Sequence, residues 1–381
     1  MTTRILHVAD LHLDRAFAGM GCHGDLAVRR RLGLREALRR AGEAAIAGGC
    51  SVVSIAGDLY EHDRAGAETA ALLEQTFASW QPMTVLLAPG NHDPLVRGSL
   101  YTRTDWPANV HVFTAQHLEP FALGDGLTAW GLAHHEPVWM GDPLHGDRVD
   151  GDGGVHLAVF HGAEVSWRPD GKSLHGPFHA RRIRERGFAA ALCGHYHRRR
   201  VDQVLGLVYP GSPEPLTFDE GERRGPVVVT VADDATISYE TIDDNLWFAR
   251  TAVCELEGTA STAAALELAA EAAAAVCTGT DPERTMLRLD LRGEVDDSAA
   301  LDAFTIDSFL RERLGLAVVR VRDLTRPRLE PDAGAPSAVR TAFVAATEAA
   351  LADAGDDDRA VLDDALRYGL QALSGAEVGL R

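Results

Sequence analysis

Residues 5–14 read ILHVADLHLD: a short apolar run, Ile5-Leu6-His7-Val8-Ala9, that ends in Asp10-Leu11-His12. The same event recurs four times down the chain. Val52-Val53-Ser54-Ile55-Ala56 runs into Gly57-Asp58, and Val85-Leu86-Leu87-Ala88 is followed by Gly90-Asn91-His92-Asp93. Leu157-Ala158-Val159-Phe160 runs into His161, and Ala191-Leu192-Cys193 into Gly194-His195-Tyr196-His197. Short apolar runs bounded by turn residues read as buried strands. In α/β sheets ligands gather beyond the carboxyl ends of strands, so five such ends can converge on one crevice. The glycines before Asp58, Asn91 and His195 permit tight turns there.

Outward from these segments, residues 4–244 alternate Val/Ile/Leu/Ala runs with longer amphipathic stretches, the pattern of a layered α/β domain. The pattern predicts helices over 31–47 and 65–80. It predicts strands over 5–9, 52–56, 85–88, 155–160, 189–193, 205–209, 227–231 and 236–242. The last strands follow one another without helices and are expected to pair antiparallel. Residues 245–330 read as a small α+β capping domain with strands at 251–256, 285–291 and 317–322 and helices at 262–276 and 299–314. Residues 331–381 read as a linker, 331–336, bounded by Pro331 and Pro336, and a partner-binding tail of two amphipathic helices near 337–354 and 358–373.

The 37 basic against 56 acidic side chains give a net charge of −19, which excludes a protein that grips nucleic acid through a general basic surface. Local clusters, Arg29-Arg30-Arg31 with Arg35, Arg39 and Arg40, Arg181 to Arg186, and Arg198-Arg199-Arg200, read as solvated helix faces. The five cysteines are odd in number and form no CxxC pair, as suits reduced thiols. The opening MTTRILHVAD has no signal-peptide pattern and no stretch nears the roughly 20 apolar residues of a membrane span. The expectation is a cytoplasmic protein with no membrane partner.

The polar residues at the strand ends are imidazoles, carboxylates and one amide, without thiolate. That donor set favours divalent ions such as Mn²⁺, Fe²⁺ or Zn²⁺ over a structural cysteine–zinc site. Two ions clamping the attacking and leaving oxygens of a phosphoryl displacement need a carboxylate to bridge them. In Asp10-x-His12 and His195-x-His197, alternate side chains of an extended backbone can face one site. Each piece alone is weak. All five in order, each after a strand, point to a dimetal phosphoesterase.

This ordered set resembles the calcineurin-like metallophosphoesterase superfamily. The opening HVADLHLD (residues 7–14), the stretch YPGSPEPLTFDEG (209–221), the small cap and the helical tail are similar to its DNA repair exonuclease branch, the SbcD- and YhaO-like nuclease subunits. The resemblance implies that Asp10, His12, Asp58 and His197 hold one metal and that Asp58, Asn91, His161 and His195 hold the other, with Asp58 as the bridge. It further implies two ions, usually Mn²⁺, and a water activated by them as nucleophile. His92 would assist at the phosphorus or the leaving oxygen, with Asp93 orienting its ring.

On that resemblance the protein is an Mn²⁺-dependent DNA nuclease subunit, exonuclease or endonuclease, acting in DNA repair. Its partner would be an SMC-like coiled-coil ATPase (SbcC/YhaN-like) bound through the C-terminal helices, with a homodimer formed through helices of the catalytic domain. One departure stands out: nuclease relatives often carry a histidine three residues after the bridging aspartate, where this chain has Glu61, followed by His62. A carboxylate there is expected to repel phosphate and depress DNA processing, unless His62 turns inward. Two other readings stand beside the nuclease. One is a phosphodiesterase or phosphatase on small substrates such as cyclic nucleotides, favoured by the acidic charge and by Glu61. The other is a non-catalytic scaffold, against which the complete ligand set speaks.

Overall fold

The structure is a computed structural model that describes residues 2–124, 126–146, 148–149, 153–169, 171–259, 261–295, 302–327 and 338–374. In chain order the first part contains β1 (Thr3–Val8), α1 (Gly24–Ala47), β2 (Val52–Ala56), α2 (Ala67–Ser79), β3 (Thr84–Ala88), α3 (Leu100–Arg103), β4 (Val110–Val112), β5 (Glu119–Gly124), β6 (Leu127–Gly131), β7 (Val155–His161), α4 (Arg181–Glu185), β8 (Ala190–Gly194), β9 (Arg200–Asp202), β10 (Leu207–Tyr209), β11 (Val227–Val231) and β12 (Ile237–Thr241). They build two six-stranded sheets, ordered β12-β11-β1-β2-β3-β4 and β5-β6-β7-β8-β10-β9.

Side chains alternate across each strand, so each sheet buries two faces. Ile5, Val52, Ala56 and Leu86 of the first sheet pack on Leu157, Val159, Leu192 and Val208 of the second. The opposite face of the first sheet, with Leu6, Val8, Val53 and Ile55, packs on Leu34 and Leu38 of α1 and Leu73 and Phe77 of α2. The outer face of the second sheet carries Phe160 and Cys193 against Phe178, Ile183 and Phe188. The result is a four-layer α/β/β/α stack, the layered α/β class expected.

Strands β1, β2 and β3 run parallel, as do β6, β7 and β8. The expected antiparallel pairing of the later strands holds for β11 with β12 and β9 with β10, but β10 lies parallel to β8. Strand β9 takes the sheet edge and turns back, which inserts β10 beside β8 in the same direction. Helix α1 starts seven residues before the expected 31, and one of its arginines is not solvated. Arg30 is fully buried, with its guanidinium 4.4 Å from the Phe17 ring centre and 4.6 Å from that of Trp247, and Nη2 donates to the Pro215 carbonyl. Delocalised and weakly hydrated, a guanidinium stacks between rings as an ammonium does not.

The remaining elements are β13 (Phe248–Glu255), α5 (Thr262–Cys277), β14 (Thr285–Arg292), β15 (Glu294–Val295), α6 (Ala303–Leu314), β16 (Val318–Asp323), β17 (Arg326–Pro327), α7 (Ala338–Asp353) and α8 (Asp356–Ser374). Strands β13, β14 and β16 form a three-stranded sheet in that order. By internal contacts the chain divides into two units: Met1–Ala252 with Ala273–Leu289 and Asp307–Arg320, and Val253–Ala272 with Asp290–Ile306 and Val321–Arg381. In the second, α7 and α8 pack together where Gly369 leaves room for the Phe343 ring. The linker expected at 331–336 lies outside the described residues. Among those described, no helix is long and apolar enough to cross a membrane.

Candidate metal centre

The chain leaves β1 and β2 side by side, and the two exits stay zipped. Asp10 N donates to Gly57 O (3.2 Å), His12 N to Asp58 O (2.8 Å) and Leu13 N to Leu59 O (3.0 Å). Asp10, His12 and Asp58 take left-handed backbone angles, φ +55°, +48° and +52°, and His195 lies at +107°. Such conformations cost about 1–3 kcal/mol each in a non-glycine residue and cluster at functional sites. Close approach also needs glycine: a Cβ at Gly90 would stand 2.7 Å from the Asp58 backbone nitrogen.

Among the described residues three groups of possible ligands result, each with its donor atoms within 4.8 Å of one another: Asp10 with His12 and His197, Asp10 with Asp58 and His161, and His12 with Glu61 and His92. The first two contain five of the seven residues expected as ligands. Asn91 and His195 join them by other contacts. Asn91 Oδ1 lies 2.9 Å from His161 Nε2, and the His195 ring centre lies 5.2 Å from that of His161. Asp58 sits between the groups, with Oδ2 3.4 Å from His12 Nε2 and 3.4 Å from His161 Nε2. That is the placement a bridging carboxylate requires.

Whether these side chains fit a cation is decided by where their protons are. His161 Nδ1 faces the Ala56 carbonyl at 3.0 Å, and a carbonyl only accepts, so Nδ1 carries the proton and Nε2 presents a lone pair. His12 Nδ1 donates to Glu61 Oε1 (2.9 Å) and His197 Nδ1 to Glu220 Oε1 (2.8 Å), which leaves both Nε2 atoms unprotonated. Yet those two Nε2 atoms face each other at 3.3 Å. His161 Nε2 likewise faces only acceptors, Asn91 Oδ1 and Asp58 Oδ2. His195 donates Nε2–H to the Ser173 carbonyl (2.9 Å) and so offers Nδ1. Lone pairs converging without a proton to share form a cation site, and the outward N–H bonds orient each ring as metal-binding histidines require.

Electrostatics agrees. Burial lowers His195 to about 3 and His197 to about 4, so both rings are neutral at pH 7, the form that binds metal. Burial, followed by the charge of Asp58, holds the Asp10 carboxyl well above its usual range. A cation between the two carboxylates removes that conflict.

His92 is 42 % exposed and lies at the edge of the group, its ring centre 4.7 Å from that of His12. Asp93 does not orient it. The Asp93 carboxylate is fully buried on the other side of the loop, where Oδ1 accepts from Asp58 N and Gly90 N and Oδ2 from Leu59 N and the Tyr101 hydroxyl. It clasps the two ligand loops together. The ring partner of His92 is Glu61, whose Oε2 accepts from Nδ1 at 2.9 Å while Oε1 accepts from His12. Against the cost of burial, the Glu61 hydrogen bond and the charges of Asp58 and Glu61 raise His92 to about 9. Glu61, not His62, is thus the side chain that meets these imidazoles.

Glu220 stands outside the residues that the strand-end pattern singles out. Buried beside Ser212 and Arg224, it fixes the His197 tautomer, and its place inside the 209–221 stretch was the available signal.

The uncharacterized metallophosphoesterase YhaO of Bacillus subtilis is 25 % identical over 252 residues, 64 % of this chain and 61 % of YhaO. The DNA double-strand break repair protein Mre11 of Methanopyrus kandleri is 27 % identical over 287 residues, 67 % of this chain and 60 % of that protein. The chain therefore spans about three-fifths of the length of these two relatives. Among solved structures, TT1561 of Thermus thermophilus is similar over 63 % of this chain and 99 % of its own, at 14 % identity and a TM-score of 0.38. The family model of the calcineurin-like phosphoesterases matches residues 3–199, so the pattern of ligand-bearing strand ends has a name: this chain belongs to the calcineurin-like phosphoesterase family and is a metal-dependent hydrolase.

Proposed function

We propose that the protein is the nuclease subunit of a DNA repair complex, hydrolysing phosphodiester bonds with two Mn²⁺ ions held by Asp10, His12, Asp58 and His197 and by Asp58, Asn91, His161 and His195. The observation that carries the phosphodiester chemistry is the facing of unprotonated acceptors at two adjoining positions that share Asp58 Oδ2. Bound there, the ions would supply Lewis acidity for the attacking water and for the phosphoryl oxygens. The chain's own residues then do the positioning. Asp58 and Asp10 hold the anionic centre, the carbonyl and carboxylate acceptors lock each imidazole, and His92 presents Nε2 to the open side while Glu61 fixes Nδ1. From that edge His92 can give a proton to a leaving oxygen.

DNA as substrate is supported by the similarity to Mre11 over two-thirds of this chain. A coiled-coil ATPase as partner, docked on the C-terminal helices, is supported by apolar side chains that stay exposed there, Val339 at 65 % and Val361 at 68 %. Such a partner would also supply the basic surface that a net charge of −19 does not. The test is one gel and one plate: purified protein with Mn²⁺ on end-labelled single-stranded and duplex DNA, beside bis-p-nitrophenyl phosphate and cyclic nucleotides. Shortened DNA supports the nuclease. Hydrolysis of the small substrates with intact DNA replaces it with the small-molecule phosphodiesterase.

A further inference from the structure

Of the 37 Lys and Arg residues in this chain, 36 are arginine and one, Lys172, is lysine. That single lysine reaches the metal centre, where its Nζ lies 3.4 Å from His197 Nδ1. The pair is not a hydrogen bond: Nδ1 already gives its proton to Glu220, so two donors face each other. Among the described residues, none accepts from Nζ. The charge of Lys172 nevertheless acts on Asp10, His195 and His197, residues of both ligand sets, with His197 the one it touches.

Its position is built rather than incidental. Lys172 N donates to Pro169 O (3.2 Å), and Arg168 Nε donates to Lys172 O (2.6 Å). The next carbonyl, Ser173 O, accepts the ring N–H of His195 at 2.9 Å, and His175 O accepts from Ala163 N at 2.9 Å. The backbone that carries the lysine is therefore bolted to a metal-centre histidine and to the segment just after His161. Half-buried, the side chain brings a cation whose donors meet no acceptor among the described residues to the side of His197.

We propose that Lys172 is a substrate-contacting residue whose ammonium binds a non-bridging oxygen of the scissile phosphate on the Asp10–His197 side of the centre. A compact charge with three rotatable donors suits one oxygen in a crowded site, where the wide planar fork of arginine suits bidentate contacts. The proposal rests on the phosphoesterase assignment and not on DNA as the substrate.

A single lysine makes the test direct. Reductive methylation of the full chain with ¹³C-formaldehyde labels only Lys172 and the terminal amine and keeps the charge. With the centre loaded with diamagnetic Zn²⁺, titration with inorganic phosphate is expected to shift the Lys172 resonance saturably, while chloride at equal ionic strength leaves it in place. In parallel, Lys172→Met is expected to lose about 10- to 150-fold in kcat/KM for bis-p-nitrophenyl phosphate, the range of one charge-assisted hydrogen bond, with metal content per chain unchanged. A resonance indifferent to phosphate, or kcat/KM within threefold of wild type, overturns the proposal. So does metal content falling with activity, which makes Lys172 a counter-ion of the ligand set. If Lys172→Met does not fold, the resonance of the wild-type lysine decides alone. Intact DNA in the nuclease assay bears on the substrate and leaves this inference standing.

Discussion

Glu61 accepts two imidazole N–H groups at once, His12 Nδ1 and His92 Nδ1, each at 2.9 Å, with its side chain only 17 % exposed. Burial disfavours its charge, but the two histidine hydrogen bonds hold its carboxyl well below the usual range. Glu61→Gln keeps the shape and removes the arrangement. The amide oxygen can accept one N–H, and the amide NH₂ then points at the other, donor against donor. One charge-assisted hydrogen bond is lost, at about 1.5–3 kcal/mol, or roughly 10- to 150-fold. The assay separates the two recipients. Turnover of bis-p-nitrophenyl phosphate is measured across a series of metal concentrations. Loss at His12 raises the metal concentration needed for half-maximal rate, and loss at His92 lowers kcat at saturating metal. Glu61→His replaces a carboxylate that accepts from both rings with an imidazole that can accept from one at most, and is predicted to lower turnover of the small diester as well. A Glu61→Gln enzyme within threefold of wild type in both kcat and metal requirement would refute this account of the residue.

Asp58→Ala removes the oxygen that faces both ligand groups and is expected to abolish metal retention. His92→Ala should keep the ions and slow turnover by about 10²- to 10⁴-fold, as for loss of a general acid; metal analysis beside kinetics checks the pair. Gly90→Ala drives a Cβ to 2.7 Å from the Asp58 nitrogen, so the loop must shift and both metal content and activity should fall together, while a folded circular dichroism spectrum persists. His7 is fully buried, with Nδ1 on Ser54 Oγ and Nε2 on the Cys193 carbonyl, and burial lowers it to about 4. Its folded-state pKa lies below the unfolded value of 6.5, so its neutral form contributes stability that is intact above pH 6.5 and drains away as pH falls towards 4. The full loss is about 3 kcal/mol, and His7→Asn should flatten the acid limb of a denaturation-midpoint-versus-pH curve; parallel limbs would contradict it.

The ligand-bearing strand ends were legible because each is a local event: an apolar run, then a glycine or a polar residue within three positions. The second sheet was harder to see. Residues 119–131 hold two of its strands, one of them with a half-exposed alternation, and no run there resembles the buried strands around it. Roles that depend on contact across the fold were not legible at all. Glu61 lies 49 positions from His12 and 31 from His92, and Glu220 lies 23 from His197. Asp93 shows the converse, since adjacency to His92 suggested a pair. The two side chains leave the loop in different directions, one to the open edge and one into the clasp around Asp58 and Tyr101. Arg30 was read from its charged neighbours as solvated, although its rings come from Phe17 and from Trp247, which is remote in sequence.

The opposed lone pairs of His12 and His197, 3.3 Å apart, make the centre a reporter of its own occupancy. An ion that relieves that repulsion binds the folded chain and not the unfolded one, so occupancy and unfolding are thermodynamically linked. At a hundredfold excess over its dissociation constant one ion adds about 2.7 kcal/mol, a rise in melting temperature of roughly 5–10 °C for a domain of this size. Manganese, iron, zinc and magnesium can therefore be ranked by thermal shift after chelation, before any substrate has been identified.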